Sequence, residues 1–324
     1  MSPVAGPSLT PLVLPQAAPV LGGSLSLSLS PTPLLALPAL RIPAPVYQAP
    51  KASSLELALD SQLDAMATEL QKPDDPLLTF VRKEGRSLLS KIAGLIRSGE
   101  IDPSAALRAG EGDPAVPAVG RELRVGVYPV AADPFQWGHI LIALRAMAEH
   151  KLDKVVFVLA GDDPRKPQMT PSGFRHAMGR AVMDAFSPLF AYSSIAVGTQ
   201  YDGETNIFRL LKLNPQQSVH AFYIVGGDHY RLKDKNGGDD TLLKMEKHLG
   251  DPNRFDADKH KVSLIFVERG EPLARIPTPL DIHFLPDVGF DASSTRVRSG
   301  HYELMPYAAF EFVRKNQPGL YGIR

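Results

Sequence analysis

LRVGVYPVAADPFQWGHILIALRAMAEH, residues 123–150, runs from an apolar segment rich in valine, through a polar segment closed by glycine, into leucine, alanine and methionine at helical spacing. LRVGVY reads as a strand and residues 139–150 as a helix, so the segment between them is a strand-to-helix turn. Such a turn needs only glycine, proline and polar caps. Here Gln136, Trp137 and His139 crowd around Gly138, and residue types of that kind in a connecting loop call for a further reason.

The same rhythm continues along the chain. Apolar runs recur at KVVFVLA, VHAFYIV, VSLIFV and DIHFL, with helices predicted at 171–186, 205–213, 239–249 and 306–315. Short strands rich in Val, Ile and Phe that alternate with helices predict an α/β fold, a Rossmann-like doubly wound parallel sheet with helices on both faces, over residues 121–324. Ligands of such sheets bind beyond the carboxyl ends of the strands, near the switch in strand order, so the chemistry is expected at strand-to-helix turns.

The chain before this domain is different. Residues 53–120 carry leucine and alanine at three- and four-residue spacing, broken by an Asp-Pro step, and predict two or three amphipathic helices closed by the linker GEGDPAVPAVG. The first 50 residues hold eleven prolines, the alternation GGSLSLSLS and a single charge at Arg41. No basic residue precedes an unbroken apolar run there, and no stretch reaches the ~20 apolar residues of a membrane span. Residues 1–52 are expected to be a disordered, proline-rich leader.

With 35 basic and 35 acidic residues in 324, the chain has no global attraction to nucleic acid or membrane, and any anion site must be local. The absence of cysteine removes disulfides, thiolate metal sites and cysteine nucleophiles; it fits a reducing compartment, and a cytoplasmic location is expected. Nine histidines remain without an HExxH or similar pair, so no dedicated metal site is expected.

Three turns could face one ligand. Gly138 allows close backbone approach, and His139 at a helix start could hydrogen-bond a phosphate oxygen; alone, it could equally be a polar helix-start residue. In VGGDHY, residues 225–230, Asp228 could accept from ribose hydroxyls or merely cap a helix. In DASSTRVRSG, residues 291–300, Ser293, Ser294, Thr295 and Arg298 fit a polyphosphate, or a capped helix with solvated arginines. The GxxxxGK[ST], GxGxxG and GxSxG patterns are all missing.

In this order the turns resemble the nucleotidyltransferase superfamily with an early HxGH and a late SSTxxR motif. GVYPVAADPFQWGH is similar, without a gap, to the GxFGGTFDPxHxGH opening of nicotinate or nicotinamide mononucleotide adenylyltransferases, retaining Gly126, Asp133, Pro134, Gly138 and His139. KLDKVVFVLAGDDPRKP, YIVGGDHY, ASSTRVR and the tail LMPYAAFEFVRKNQPGLYG resemble further segments of that family, over about residues 122–324.

The resemblance implies adenylate transfer from ATP to a pyridine mononucleotide, giving a dinucleotide and pyrophosphate, with Mg2+ on the triphosphate. It implies that His139 stabilises the α-phosphate and that Ser294, Thr295 and Arg298, beside Ser293 and Gly138, hold the β and γ phosphates. Asp228 would meet the adenosine ribose and Lys166 the substrate phosphate, with Gln136 and Trp137 at the substrate mouth, although Trp137 could equally cover the core. The implied partners are ATP and the mononucleotide, with a homo-oligomer or a protein partner engaged through the N-terminal helices. Three departures stand out: Gln136 replaces the first motif histidine, Pro129-Val130-Ala131-Ala132 replaces Gly-Gly-Thr-Phe, and YDGETNIFRLL only partly matches SYTxxT. They leave open an altered acceptor or a catalytically weakened nucleotide binder of the same fold.

Overall fold

The computed structural model describes residues 52–163, 166–197, 203–268, 270 and 272–324. The expected leader therefore lies, up to residue 51, outside the described residues. In chain order the elements are α1 (Ala52–Leu70), α2 (Pro76–Arg97), β1 (Leu123–Val130), α3 (Trp137–His150), β2 (Lys154–Leu159), α4 (Ser172–Ala185) and β3 (Phe190–Ser193). They continue with α5 (Gly203–Leu213), β4 (Val219–Gly226), α6 (Thr241–Leu249), β5 (His260–Val267), β6 (Ile282–Leu285), α7 (Ser294–Arg298) and α8 (Tyr307–Asn316).

The strands form one six-stranded sheet in the order β3-β2-β1-β4-β5-β6, with every neighbouring pair parallel. From β1 the chain winds outward through β2 to β3, then returns to place β4 on the other side of β1. The switch point thus falls between β1 and β4. Side chains alternate across the sheet as a period of two requires. Tyr128, Val130, Phe157, Phe222 and Ile224 enter one core, while Val125, Val127, Val156, Tyr223 and Val225 enter the other. Both faces are covered, and the strands accordingly read as nearly continuous apolar runs.

The five strand segments read from the sequence all form. β3 was not expected: FAYS is four residues long with a serine at its end, and an edge strand pairing only β2 needs no longer apolar run. Pro129 lies in β1 beyond Val127, its last residue in register with β4, so its missing N–H breaks no pair on that side.

The helices before residue 110 share the core of the sheet domain rather than standing apart from it. Leu59, Leu63, Met66, Leu78, Val81 and Ile92 are buried in the same cluster as α3 and α8, and the Ala308 N–H donates to Gln62 Oε1 at 2.7 Å. A Cβ on Gly85 would stand 2.6 Å from Leu59 Cδ2, which is how closely α1 and α2 approach.

At the end of α3, the His150 ring lies 4.8 Å from that of His283 and 5.9 Å from that of Phe222. Its Nε2 is buried without a partner among the described residues. Burial first, then the nearby His283 and Arg124, lower its pKa to about 4, against a smaller opposing effect of Asp281. The unfolded chain therefore binds a proton near pH 6.5 that the folded chain refuses until about pH 4. Stability from this residue is complete above pH 6.5 and is lost as pH falls toward 4. His150→Phe should reduce the acid loss of urea stability between pH 6.5 and 4 by on the order of 1–3 kcal/mol; superimposable pH curves for variant and wild type would contradict this account.

Candidate active site

The loop leaving β1 crosses the carboxyl edge of the sheet and starts α3 with Gln136 in extended backbone (φ −137°, ψ 158°). The Gln136 N–H donates to His139 Nδ1 at 3.2 Å. A backbone N–H can only donate, so Nδ1 must keep its lone pair, and the neutral imidazole carries its proton on Nε2. Phe135 and Tyr128 hold the ring edge-on, with centroids 5.0 and 6.3 Å away. His139 is thus prepared as a hydrogen-bond donor at Nε2, half-buried at the sheet's rim.

The side chain of Gln136 turns the other way. It is 2% exposed, and it reaches the segment that opens α7. With the amide oriented to satisfy both ends, its nitrogen donates to the Ala292 carbonyl at 2.9 Å, and its oxygen accepts from the Ser294 N–H at 2.7 Å and hydroxyl at 2.9 Å. Gly138 completes the junction: a Cβ there would lie 2.7 Å from the Ala292 Cβ. The sequence expectation places Gln136 at the substrate mouth; in the structure both polar atoms of its side-chain amide make the contact with α7. Trp137 departs from the expectation. It is fully buried in the apolar core, so it covers the core and presents no face to a base.

Arg298 joins the same junction from the end of α7. Its Nη1 donates to the Asp133 carbonyl at 2.8 Å and stands 3.8 Å from the Asp133 carboxylate, while the side chain stays 46% exposed. The Asp133 carboxylate also accepts from the Tyr321 hydroxyl at 2.6 Å, and that hydroxyl meets Thr170 Oγ1 at 2.8 Å. Burial and the adjacent Asp133 push the Tyr321 phenol well above its ordinary pKa, so it remains a donor. Ser293 caps α7, accepting from the Arg296 N–H, Ser294 faces Gln136, and Thr295 is exposed. The first and third turns, more than 150 residues apart, are therefore one surface.

The second turn lies across the switch point. Asp228 sits exposed in a short 3-10 turn after β4, 3.7 Å from His229 Nε2. It caps no α-helix; Asp240 does that for α6. Beside it opens a cavity of about 860 Å³, walled by the ends of β1 (Pro129, Val130), β2 (Val158) and β4 (Tyr223, Val225) and bordered by Lys166. His139, Ser294 and Arg298 do not line this cavity; they flank the loop that leads away from its edge at Ala131. The site thus has two parts on either side of that loop: a donor-rich junction at α3 and α7, and an open cavity reaching α5.

Arg175 was not expected. On α4 it is completely buried, donating through Nε to Thr170 O (2.7 Å), through Nη1 to Ala131 O (2.5 Å) and through Nη2 to Gly161 O (2.9 Å). It pins the loops that follow β1 and β2 to each other. Burial lowers its pKa, opposed by Asp133 and Asp162. In the sequence it is one more arginine at helical spacing, with nothing to separate it from a solvated one.

A doubly wound parallel sheet with a donor histidine at the first helix start, and with the neighbouring Gln136 and Asp133 hydrogen-bonded to a serine-threonine-arginine turn, defines a Rossmann-like enzyme of the nucleotidyltransferase class. No protein-family model matches the chain. A Thermus thermophilus protein named "Probable nicotinate-nucleotide adenylyltransferase" is 31% identical over 180 residues, 54% of this chain and 85% of that one. A Thermoanaerobacter protein of the same name is 26% identical over 167 residues, 49% of this chain and 78% of its own. The solved nicotinic acid mononucleotide adenylyltransferase of Plasmodium falciparum, complexed with NaAD, gives a TM-score of 0.40 at 14% identity, over 62% of this chain and 98% of that one. On its sequence relatives, this chain belongs to the nicotinate-nucleotide adenylyltransferase family.

The junction can be tested without ligand. Gly138→Ala should cost about 1–3 kcal/mol by overpacking Ala292, measured by urea unfolding, and Ala292→Gly in the same chain should recover most of it. Additive losses in the double variant would show that the two residues do not press on each other.

Proposed function

We propose that this chain transfers the adenylate of ATP to the phosphate of a pyridine mononucleotide, forming a dinucleotide of NAD biosynthesis and releasing pyrophosphate. The observation that carries the reading is the hydrogen-bonded junction of the His139 and Arg298 turns at the carboxyl edge of the sheet. Beside it lies a cavity large enough for a mononucleotide.

A mononucleotide phosphate is already ionised near pH 7, so it needs no base to attack. Its oxygen bonds to the α-phosphorus, the bond from that phosphorus to the bridging oxygen breaks, and the electron pair leaves with pyrophosphate. Positioning and charge stabilisation are what the protein must supply. The His139 Nε2–H donates to an α-phosphate oxygen as charge builds, with the tautomer fixed beforehand by the Gln136 N–H. Arg298, held by the Asp133 carbonyl, binds the leaving phosphates together with Ser294, Thr295 and the α7 turn at Ser293, while Gly138 keeps the backbone close. Asp228 accepts from the adenosine ribose, and Lys166 at the cavity edge meets the acceptor phosphate.

No cluster of three or more His, Asp or Glu among the described residues could hold a metal. Magnesium would be carried on the phosphate oxygens of ATP, where it would neutralise charge. No helix among the described residues is long and apolar enough to cross a membrane, and the cysteine-free composition supports a reducing, cytoplasmic setting.

The replacement of the first motif histidine by Gln136 is accommodated by the fold, since the amide joins α3 to α7. Purified protein with ATP, magnesium and either pyridine mononucleotide should release pyrophosphate. His139→Ala should lower kcat by about 10²–10³, the cost of one transition-state donor, with a smaller change in KM. No release with either acceptor would defeat the proposal, and full activity in the variant would remove His139 from its role.

A further inference from the structure

Resting on that reading, we infer that Tyr321 is a positioning residue for adenylyl transfer: its hydroxyl holds the Asp133 carboxylate away from the Arg298 guanidinium, which keeps that cation available to the leaving phosphates of ATP. Tyr321 lies beyond α8 in the short 3-10 turn Leu320–Gly322 and is 8% exposed. Its backbone is in the left-handed region (φ 55°, ψ 14°), where bulky residues are rarely found. A strained position of this kind persists only where its surroundings impose it. Here they do. The Tyr302 hydroxyl donates to the Tyr321 carbonyl at 3.2 Å, Ile323 is buried beside it, and a Cβ on Gly322 would stand 2.8 Å from the Tyr302 hydroxyl.

What the turn delivers to the site is a hydroxyl. The Tyr321 O–H donates to Asp133 Oδ1 at 2.6 Å, and a phenol has one proton to give. Its oxygen therefore accepts from the Thr170 hydroxyl, 2.8 Å away. Thr170 is fixed in turn: its carbonyl accepts from the buried Arg175, and its N–H points to Asp133 Oδ2 at 3.4 Å. Burial raises the pKa of the phenol, so it stays a donor.

Arg298 stands on the other side of the same aspartate. Its Nη1 donates to the Asp133 main-chain carbonyl at 2.8 Å but remains 3.8 Å from carboxylate Oδ2; a direct charge-assisted bond would bring the two to about 2.7–2.9 Å. The Asp133 side chain is 13% exposed and that of Arg298 46%, so the carboxylate is the partner that needs protein donors. Without the Tyr321 hydroxyl, the Arg298 guanidinium is a donor within reach of it. A captured guanidinium must be released before it can meet a phosphate, and ATP then binds more weakly. The cavity assigned to the mononucleotide is not lined by Asp133, Thr170 or Tyr321, so that ligand is spared.

The test uses the full chain. Tyr321→Phe keeps the ring and removes only the hydroxyl. In calorimetry with ATP and magnesium its Kd for ATP should rise about three- to tenfold, the reach of a half-exposed ion pair, while the Kd of the pyridine mononucleotide stays within about twofold. The KM for ATP in pyrophosphate release should follow, with a smaller change in kcat. Adding Asp133→Asn to the same chain removes the competing charge and should restore most of the ATP affinity. Lower urea stability with unchanged ATP affinity, equal weakening of both ligands, or no rescue by Asp133→Asn overturns the inference, as does a wild type that binds no ATP. If Tyr321→Phe does not fold, Thr170→Val, which removes the hydroxyl that donates to Tyr321, decides in its place. A rise in the ATP Kd of about two- to threefold is expected there, and no rise overturns the inference. If ATP binds but neither acceptor yields pyrophosphate, adenylyl transfer falls, and the calorimetric comparison still decides the role of Tyr321.

Discussion

The side chain of Gln136 is hydrogen-bonded to Ser294, 158 residues further along the chain, and the geometry of the α3–α7 junction follows from that contact. A neutral amide can donate and accept at once, so it satisfies the Ala292 carbonyl and the Ser294 N–H and hydroxyl together. A neutral imidazole offers one donor and one acceptor on opposite edges of a ring and could not close the same set. The net gain per hydrogen bond is only about 1 kcal/mol, but leaving these buried groups unmade would cost more. The constraint therefore acts mainly against alternatives, holding the start of α7 against the start of α3.

Charge is handled in the same way around this junction. Arg175 is buried with the Asp162 carboxylate 3.9 Å away, and its guanidinium is answered by three backbone carbonyls from the loops after β1 and β2. Asp133 binds Tyr321 and stands near Arg298 at once. The loops bearing the candidate phosphate-binding groups are thus oriented by side chains that need not touch a ligand, and the exposed Arg298 head and the His139 ring are positioned before any ligand arrives.

Much of this was legible in the sequence. Five apolar runs and the helices between them fixed the parallel sheet, because strands covered on both faces need nearly uninterrupted Val, Ile and Phe. The convergence of His139 with the Ser294 and Arg298 turn was legible from their order and spacing. The directions of Gln136 and Trp137 were not, since residue type in a turn says nothing about which way the side chain points. Arg175 escaped because burial of a cation by carbonyls leaves no pattern. Glu204 and Asn206, which line the cavity, escaped because they fall where the match to SYTxxT is partial. β3 is too short to announce itself.

The helices before residue 110 illustrate the limit most clearly. Their amphipathic spacing states that they cover something, yet only the fold states what. Arg145 on α3 donates to Glu84 on α2 at 2.7 Å and to the carbonyls of Pro286 and Asp287 at 2.9 and 2.7 Å, on the segment that leads into α7. Phe80 on α2 meets Phe290 edge-on at 5.8 Å. One helix of the extension therefore grips both arms that Gln136 joins, one through α3 and the other through residues 286–290. Because those arms carry His139 and Arg298, the placement of these two side chains relative to each other depends in part on α2. In that arrangement the extension supports the junction as well as covering the core it shares with α3 and α8.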